Sequence, residues 1–452
     1  MTFDTVVTNG TIVFPNAPAK LGDIAIKDGR IADILAPSSG VSSTNRIDAS
    51  GRHVFPGLID AHIHFGFGEP VTEYSTETTY AAQGGFSTVI GYFLNNEAYG
   101  GVFEREIGHA RPRAFIDFAF HFSTASELHL RELASYVRDY GVTSFKYFMN
   151  FKGEEGRYLG LDGTDDGYLG ALLEEAARIG GVTVVLHTEN IEVVNRRRRE
   201  FQAAGKASLR DWSLSKPAFT EAENVNRAMY FAEHTGATIY IPHLSTRMSL
   251  DEVRRWRPRY NKVLVETCPH YLTHTLDSDM GSIGKANPPF RTQDDVDAMW
   301  EGLRDGSINV VASDHVPRKR TTKEKGIWQA SQGFPGTATI LPVLLHEGYH
   351  KGRLSLQRIA QVLTSAPARI FGLERKGDIR VGLDADLAIV DLNAERTVKA
   401  AELGSYSDYS LYDGWRLKGW PQMTMVRGKV VMDQGRMVGP PGHGQYIERK
   451  TT

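Results

Sequence analysis

Eight short apolar runs recur through the middle of the chain, and they restrict its possible folds more than any other feature. They are "VFPGLIDAHIH", "FSTVIGYF", "AFIDFAFHF", "SFKYFM", "TVVLHTEN", "TIYIPHLS", "KVLVETCPHY" and "INVVASDH". Runs this continuously apolar suit strands buried on both faces of a parallel sheet. Candidate helices such as "GALLEEAARIGG" and "AENVNRAMYFAEHTG" lie between them. The economical reading is an α/β fold in which eight βα units close into a (β/α)8 barrel. His64 to Asp314 covers about 250 residues, the usual extent of such a barrel.

The two ends of the chain have a different texture. "DTVVTNG", "TIVFP" and "DIAIKDGRIADI" near the start, and "GDIRVGLDADLAIVDL" and "MTMVRGKVVMDQGRMV" near the end, alternate β-branched residues with Gly, Asn and Asp turns. These are hairpin signals. The expected division is a β-rich part at 1–52, the barrel at 53–375, a second β-rich part at 376–437 and a tail at 438–452.

Composition narrows the partners. The chain has 452 residues, 23% of them charged, a formal net charge of -2 and a pI near 6.7. That balance gives no electrostatic reason to bind nucleic acid or an anionic membrane, and points to small uncharged molecules. A single cysteine, Cys268, excludes an internal disulfide framework and fits a reducing compartment. The first residues lack a basic segment followed by an apolar core, and no run of 18 apolar residues occurs. A cytoplasmic protein that neither enters nor crosses a membrane is expected.

In a barrel of this kind the chemistry sits where strands end and the following loops begin. Those ends carry His62 and His64 on the first strand, Lys146 on the fourth, His187 on the fifth, His243 on the sixth and Asp314 on the eighth. Histidines two apart on a strand point to the same side. Imidazole and carboxylate suit zinc, and equally Mn, Co or Fe. Lys146 is the odd member, because an ammonium group would repel metal ions. Its bland reading is a side chain that reaches solvent or pairs with a carboxylate. Its place among the ligand strands favours another: a desolvated, neutral amine adds carbon dioxide and becomes a carbamate able to bridge two divalent ions. Such a site lowers the pKa of water and polarises a carbonyl. Asp314 would then be catalytic, taking the proton of a bridging hydroxide as it attacks and passing it to the leaving nitrogen. Metal-assisted amide hydrolysis is the expected reaction.

With these residues in view, the chain resembles the amidohydrolase superfamily, and within it the cyclic amidases: dihydropyrimidinases, hydantoinases and allantoinases. The likeness runs almost end to end through "PGLIDAHIH", "SFKYFM", "VLHTEN", "ETCPHYL", "NPPFR", "ASDHVP", "KGDIRVGLDADLAIVDL" and "GHGQYIER". The resemblance implies that the two β-rich ends pair into one small β-sandwich. It implies two divalent ions per subunit, with His62, His64 and Asp314 on the more buried one, His187 and His243 on the other, and carboxylated Lys146 between them. It also implies opening of a cyclic amide ring and assembly as a homodimer or homotetramer.

Departures from the family pattern bear on the substrate. In dihydropyrimidinases and D-hydantoinases a tyrosine five residues after the lysine supports the developing oxyanion; here that position is Phe151. The ring-holding positions align with Asn287 and with Gln332 and Gly333. Dihydroorotases carry an arginine just after the His-x-His pair, where this chain has Phe65 and Gly66, so dihydroorotate is disfavoured. Phe65, Asn95, Phe151, Asn287, His315, Gln332 and Gly333 are the expected substrate contacts. The aromatic residues Phe65, Phe67, Tyr92, Phe93, Tyr147 and Phe151, with Leu94, suggest an apolar ring substituent. His270 is a further candidate near the site, whereas His274, His346 and His443 suggest no role. The run Arg196 to Arg199 reads as a solvated helix face or a subunit contact, and the polar loop 317–326 as either a lid or a disordered linker with no role. Two alternatives remain open: hydrolysis of another C–N bond, such as an exocyclic amide or an isoaspartyl-type peptide, and a non-catalytic scaffold that retains the fold.

Overall fold

Each of the eight apolar runs becomes a strand in the computed structural model, which describes residues 2–152, 156 and 164–451. The first five strands precede the barrel: β1 (Phe3–Ile12), β2 (Lys20–Lys27), β3 (Arg30–Leu35), β4 (Ser43–Asp48) and β5 (His53–Pro56). The barrel follows with β6 (Leu58–His64), β7 (Phe86–Phe93), β8 (Asp117–Ser123), β9 (Ser144–Phe148), β10 (Thr183–His187), β11 (Thr238–Ile241), β12 (Val263–Thr267) and β13 (Val310–Val311). Four strands close the sequence: β14 (Leu387–Thr397), β15 (Arg416–Val426), β16 (Lys429–Asp433) and β17 (Arg436–Met437).

Strands β6 to β13 pair in chain order, all parallel. The seam between first and last is held just beyond β13, where His64 N–H donates to the His315 carbonyl at 2.8 Å and His315 N–H to the His62 carbonyl at 3.3 Å. Outward residues such as Phe120, Leu186 and Ile239 join the large core under the helices, while Ile59, Ala61, Ile90, Ala119, Val185 and Tyr240 fill the interior. The floor is made from distant sequence. Residues of the helix Ala366–Phe371, Leu373, Tyr446 and Ile447 pack under the interior residues. The buried Arg449 donates to Ser144 Oγ at 2.6 Å and to the Phe120 carbonyl.

The terminal strands form one hydrogen-bonded sheet in the order β17-β16-β15-β14-β5-β1-β2-β3, with β4 on β1. Strands from both ends share one apolar core, including Val7, Ile24, Val54, Leu387 and Met425. Two hairpins follow their turn chemistry: Asp28–Gly29 and Arg427–Gly428 all have positive φ, as a tight two-residue turn requires. The barrel thus starts slightly later than the sequence suggests. Residues 53–56 belong to the end sheet, where β5 pairs with β1 and β14. The two units are pinned by Lys376, whose buried ammonium lies 2.6 Å from both Asp117 of β8 and Asp386. The loop 317–326 is tied down: Arg318 N–H donates to Ser407 Oγ, and buried Lys323 donates to the carbonyls of Lys285, Ser331 and Gly333. Arg196 to Arg199 lie on the helix Ile191–Ala203, with Arg196 paired to Glu200. Among the described residues no helix is long and apolar enough to cross a membrane.

Candidate metal centre and active site

The C-terminal ends of the barrel strands bring the six ligand candidates around one cavity. Nε2 of His62 and Nε2 of His64 lie 3.0 and 3.1 Å from the same Asp314 oxygen. The donor atoms of these three residues all fall within 4.8 Å of one another. The rings of His187 and His243 are 4.5 Å apart, and His243 is 5.5 Å from His62. Local backbone irregularities produce this convergence. Between Asp60 and Ile63 strand β6 holds one more residue than β7. This bulge lets Ile59 and Ala61 fill the barrel and still aims His62 and His64 into its mouth. His243 and Asp314 lie just past their strands at φ of 39° and 52°. Left-handed backbone is uncommon for such residues and is concentrated at functional sites.

Lys146 is 1% exposed, which excludes a solvent-reaching side chain. It forms no ion pair among the described residues. Its Nζ sits over the rings of Tyr92 and Phe148, 4.8 and 5.0 Å from their centres. Burial pulls its pKa down to about 8, against the opposing pull of Asp314 and Glu266. Burial would raise the Asp314 carboxyl, yet His62 and His64 hold it well below the usual range. Burial, reinforced by His187 and Lys146, keeps His243 neutral. Burial likewise lowers His64 and His187. Three neutral imidazoles, an ionised Asp314 and an amine whose charged form is weakened by burial suit metal coordination, and His62 would give up its proton when an ion binds. The donor set therefore fits divalent ions.

The expected substrate contacts separate into two groups. Phe151, Asn287, Gln332 and Gly333 line the cavity, joined by Phe67, Phe148, Asn150, Val316 and Arg318. Phe65 and Asn95 line a neighbouring cavity instead. Strand alternation turns Phe65 away from His64 and onto Tyr74, 4.7 Å between ring centres. Asn95 donates to the Glu97 carbonyl within its own loop. His315 is turned outward: its Nε2 is 2.8 Å from the Glu77 carboxylate and its Nδ1 accepts from Gly336 N–H. It holds the seam of the barrel rather than facing the cavity. His270 is buried against Tyr271 and Phe334. Tyr147 also faces outward, with its hydroxyl on the Asp165 carbonyl.

A family model described as the amidohydrolase family matches residues 163–431, more than half of the chain. The chain belongs to the amidohydrolase family. This amidohydrolase is 33% identical to a D-hydantoinase of Ralstonia pickettii over 99% of both chains. It is 34% identical to an allantoinase of Rubrobacter xylanophilus over 98% of this chain and 97% of that one. Its structure superposes on a dihydropyrimidinase from Brevibacillus agri with a TM-score of 0.92, 28% identity and 99% coverage of both chains.

Three residues of this amidohydrolase that sequence reasoning left out support the ligand candidates from behind. Glu266 of β12, fully buried, accepts from His62 Nδ1 at 2.7 Å, from the Tyr240 hydroxyl at 2.7 Å and from His243 N–H at 3.0 Å. Burial opposes charge on His62, but Glu266 and Asp314 together raise its pKa to about 9. Glu189 lies 2.8 Å from His187 Nε2 and 3.2 Å from the buried ammonium of Lys216. Asp60 accepts from Ser313 and Thr337, tying β6 to the loop that carries Asp314. One nitrogen of His62 and one of His187 are held in this way, and the second nitrogen of His62 points to Asp314 at 3.0 Å. A carboxylate on one ring nitrogen is the usual support of a metal-binding histidine. The signal was present in "HTEN" and "ETCPHY", where a carboxylate stands at or near a strand end.

Proposed function

We propose that this protein is a binuclear-metal hydrolase that opens a cyclic amide ring, of the class that includes hydantoins, dihydropyrimidines and related ureides. One observation carries the reading: four histidines, Asp314 and a buried Lys146, which has no ion pair among the described residues, surround a single cavity at the C-terminal mouth of the barrel. The names of its relatives, hydantoinase, allantoinase and dihydropyrimidinase, support the choice of bond.

His62, His64 and Asp314 would hold one ion and His187 and His243 the second. Lys146 would serve both after its neutral amine takes up carbon dioxide and releases a proton. Bound divalent ions would supply a water nucleophile that is active at neutral pH and a polarised carbonyl. The remaining work falls to side chains. The ionised Asp314 carboxylate, well below its ordinary pKa, accepts the proton released as water adds and delivers it to the ring nitrogen as the C–N bond breaks. Glu266 and Glu189 fix the histidine rings. Phe67, Phe148 and Phe151 form an apolar wall that displaces water and packs the substituent of the ring.

Two measurements test this. Product mass from a panel of hydantoin, 5-phenylhydantoin, dihydrouracil, allantoin and succinimide should show addition of one water with ring opening for at least one member. A metal-loaded protein that opens none of them contradicts the proposal. Lys146→Ala should lose bound metal and activity, with partial recovery in small carboxylic acids; wild-type metal content in that variant rules out the bridging role.

A further inference from the structure

Hydrolysis of a ring amide places negative charge on the former carbonyl oxygen, and a preorganised donor facing that oxygen is among the largest contributions a protein can make to the rate. Phe151 has no donor to offer, and its ring is stacked on Phe148 with centres 4.0 Å apart. The residue before it is different. Asn150 is 0% exposed, lines the cavity shared by Lys146, His187 and Asp314, and has no hydrogen-bond partner for either Nδ2 or Oδ1 among the described residues.

A buried amide with both ends unmet costs stability, and such groups are rare unless a ligand completes them. Among the described residues, three that line this cavity have a buried side-chain polar atom without a hydrogen-bond partner: Asn150, Asn287 and Arg318. Asn287 is unmet at Oδ1, which accepts and suits a ring N–H. Arg318 is partly exposed at the rim, its guanidinium over the Phe67 ring at 4.9 Å. Of these three, Asn150 is the one that is fully buried with an unmet donor. Its backbone is also fixed: Met149 N–H donates to the His187 carbonyl at 3.1 Å, and Phe151 N–H to the Phe148 carbonyl at 3.3 Å. These bonds hold Asn150 against the ligand-bearing ends of β9 and β10, so little reorganisation is needed during reaction.

We propose that Asn150 is a catalytic residue, its Nδ2–H donating to the oxyanion formed when a ring carbonyl is attacked in this cavity. This rests on the ring-opening reading above. The donor gives up no proton: the hydrogen bond strengthens as charge builds and relaxes when the C–N bond breaks.

The test uses metal-loaded wild type, Asn150→Ala and Asn150→Ser on whichever ring of the panel the wild type opens. Asn150→Ala should lower kcat by about 100- to 1,000-fold, with KM, metal content and Tm close to wild type. Asn150→Ser, which restores a small donor, should recover part of the loss. A kcat within a few-fold of wild type in Asn150→Ala overturns the proposal. So does a loss that appears wholly in KM or that tracks lost metal, since either marks a binding or structural role. If wild type opens no ring, the reaction class falls and this inference with it; ring opening indifferent to Asn150 removes the inference alone.

Discussion

Neutralising Glu266 should loosen the metal site without disturbing its shape. One carboxylate oxygen accepts from both His62 Nδ1 and His243 N–H, and the other takes the Tyr240 hydroxyl. In Glu266→Gln the amide oxygen can keep the first two bonds, and the amide nitrogen can donate to a rotated Tyr240 hydroxyl. The geometry then survives and only the charge behind His62 is lost. In Glu266→Ala all three bonds go. Partners of this kind are worth about 10- to 100-fold in metal affinity, so Gln should weaken divalent-ion binding about 10-fold and Ala about 100-fold, or about 1.4 and 2.8 kcal/mol. Tyr240→Phe, which removes one bond and no charge, should stay near wild type. Competition with a chromophoric chelator on purified protein reads all three. Equal affinity across the series would refute the reasoning, because the carboxylate would then be filling space rather than orienting and polarising His62.

Two further outcomes concern stability. Burial holds His274 down to about 4, whereas an unfolded histidine titrates near 6.5. A base with a depressed folded value is protonated first in the unfolded chain, so its contribution is complete above pH 6.5 and is lost as pH falls toward 4. That contribution is about 3 kcal/mol. His274→Phe, retaining the stack on Phe290, should flatten the acid limb of urea-unfolding free energy by that amount; an unchanged limb argues against it. Lys376→Met leaves Asp117 and Asp386 buried without their shared cation, and should cost about 3–5 kcal/mol in the same assay. A loss below about 1 kcal/mol would mean that Arg427, which also pairs with Asp117, carries the cluster.

The barrel was legible because strands buried on both faces read as continuous apolar runs, and their ends delivered all six ligand candidates to one cavity. Contacts set by direction rather than residue type were harder to see. Period-two alternation already put Phe65 opposite His64, but His315 looked like a site residue only because it follows Asp314; the chain turns it toward Glu77. Glu266 and Glu189 stood at or near strand ends, where a supporting carboxylate and a ligand look alike in sequence. The extra residue in β6 has no signature in "LIDAHIH", and nothing in "FMN" marks an amide that will lack partners. The strand at 53–56 reads as barrel because it runs straight into β6; only its pairing with β1 and β14 assigns it to the end sheet.

The floor of the barrel has a consequence for how the molecule is made. Strand β8 is bonded to residues more than 300 positions downstream, through Gln445, Ile447 and Arg449, and β5 waits for β14. During vectorial synthesis the first 56 residues therefore have no finished sheet to join until residues 387–390 emerge. The apolar underside of the barrel likewise stays open until the segment around Tyr446 arrives. A nascent chain of this design exposes two unfinished apolar surfaces for most of its time on the ribosome, and its yield in cells should depend on holdase chaperones more than on its final stability.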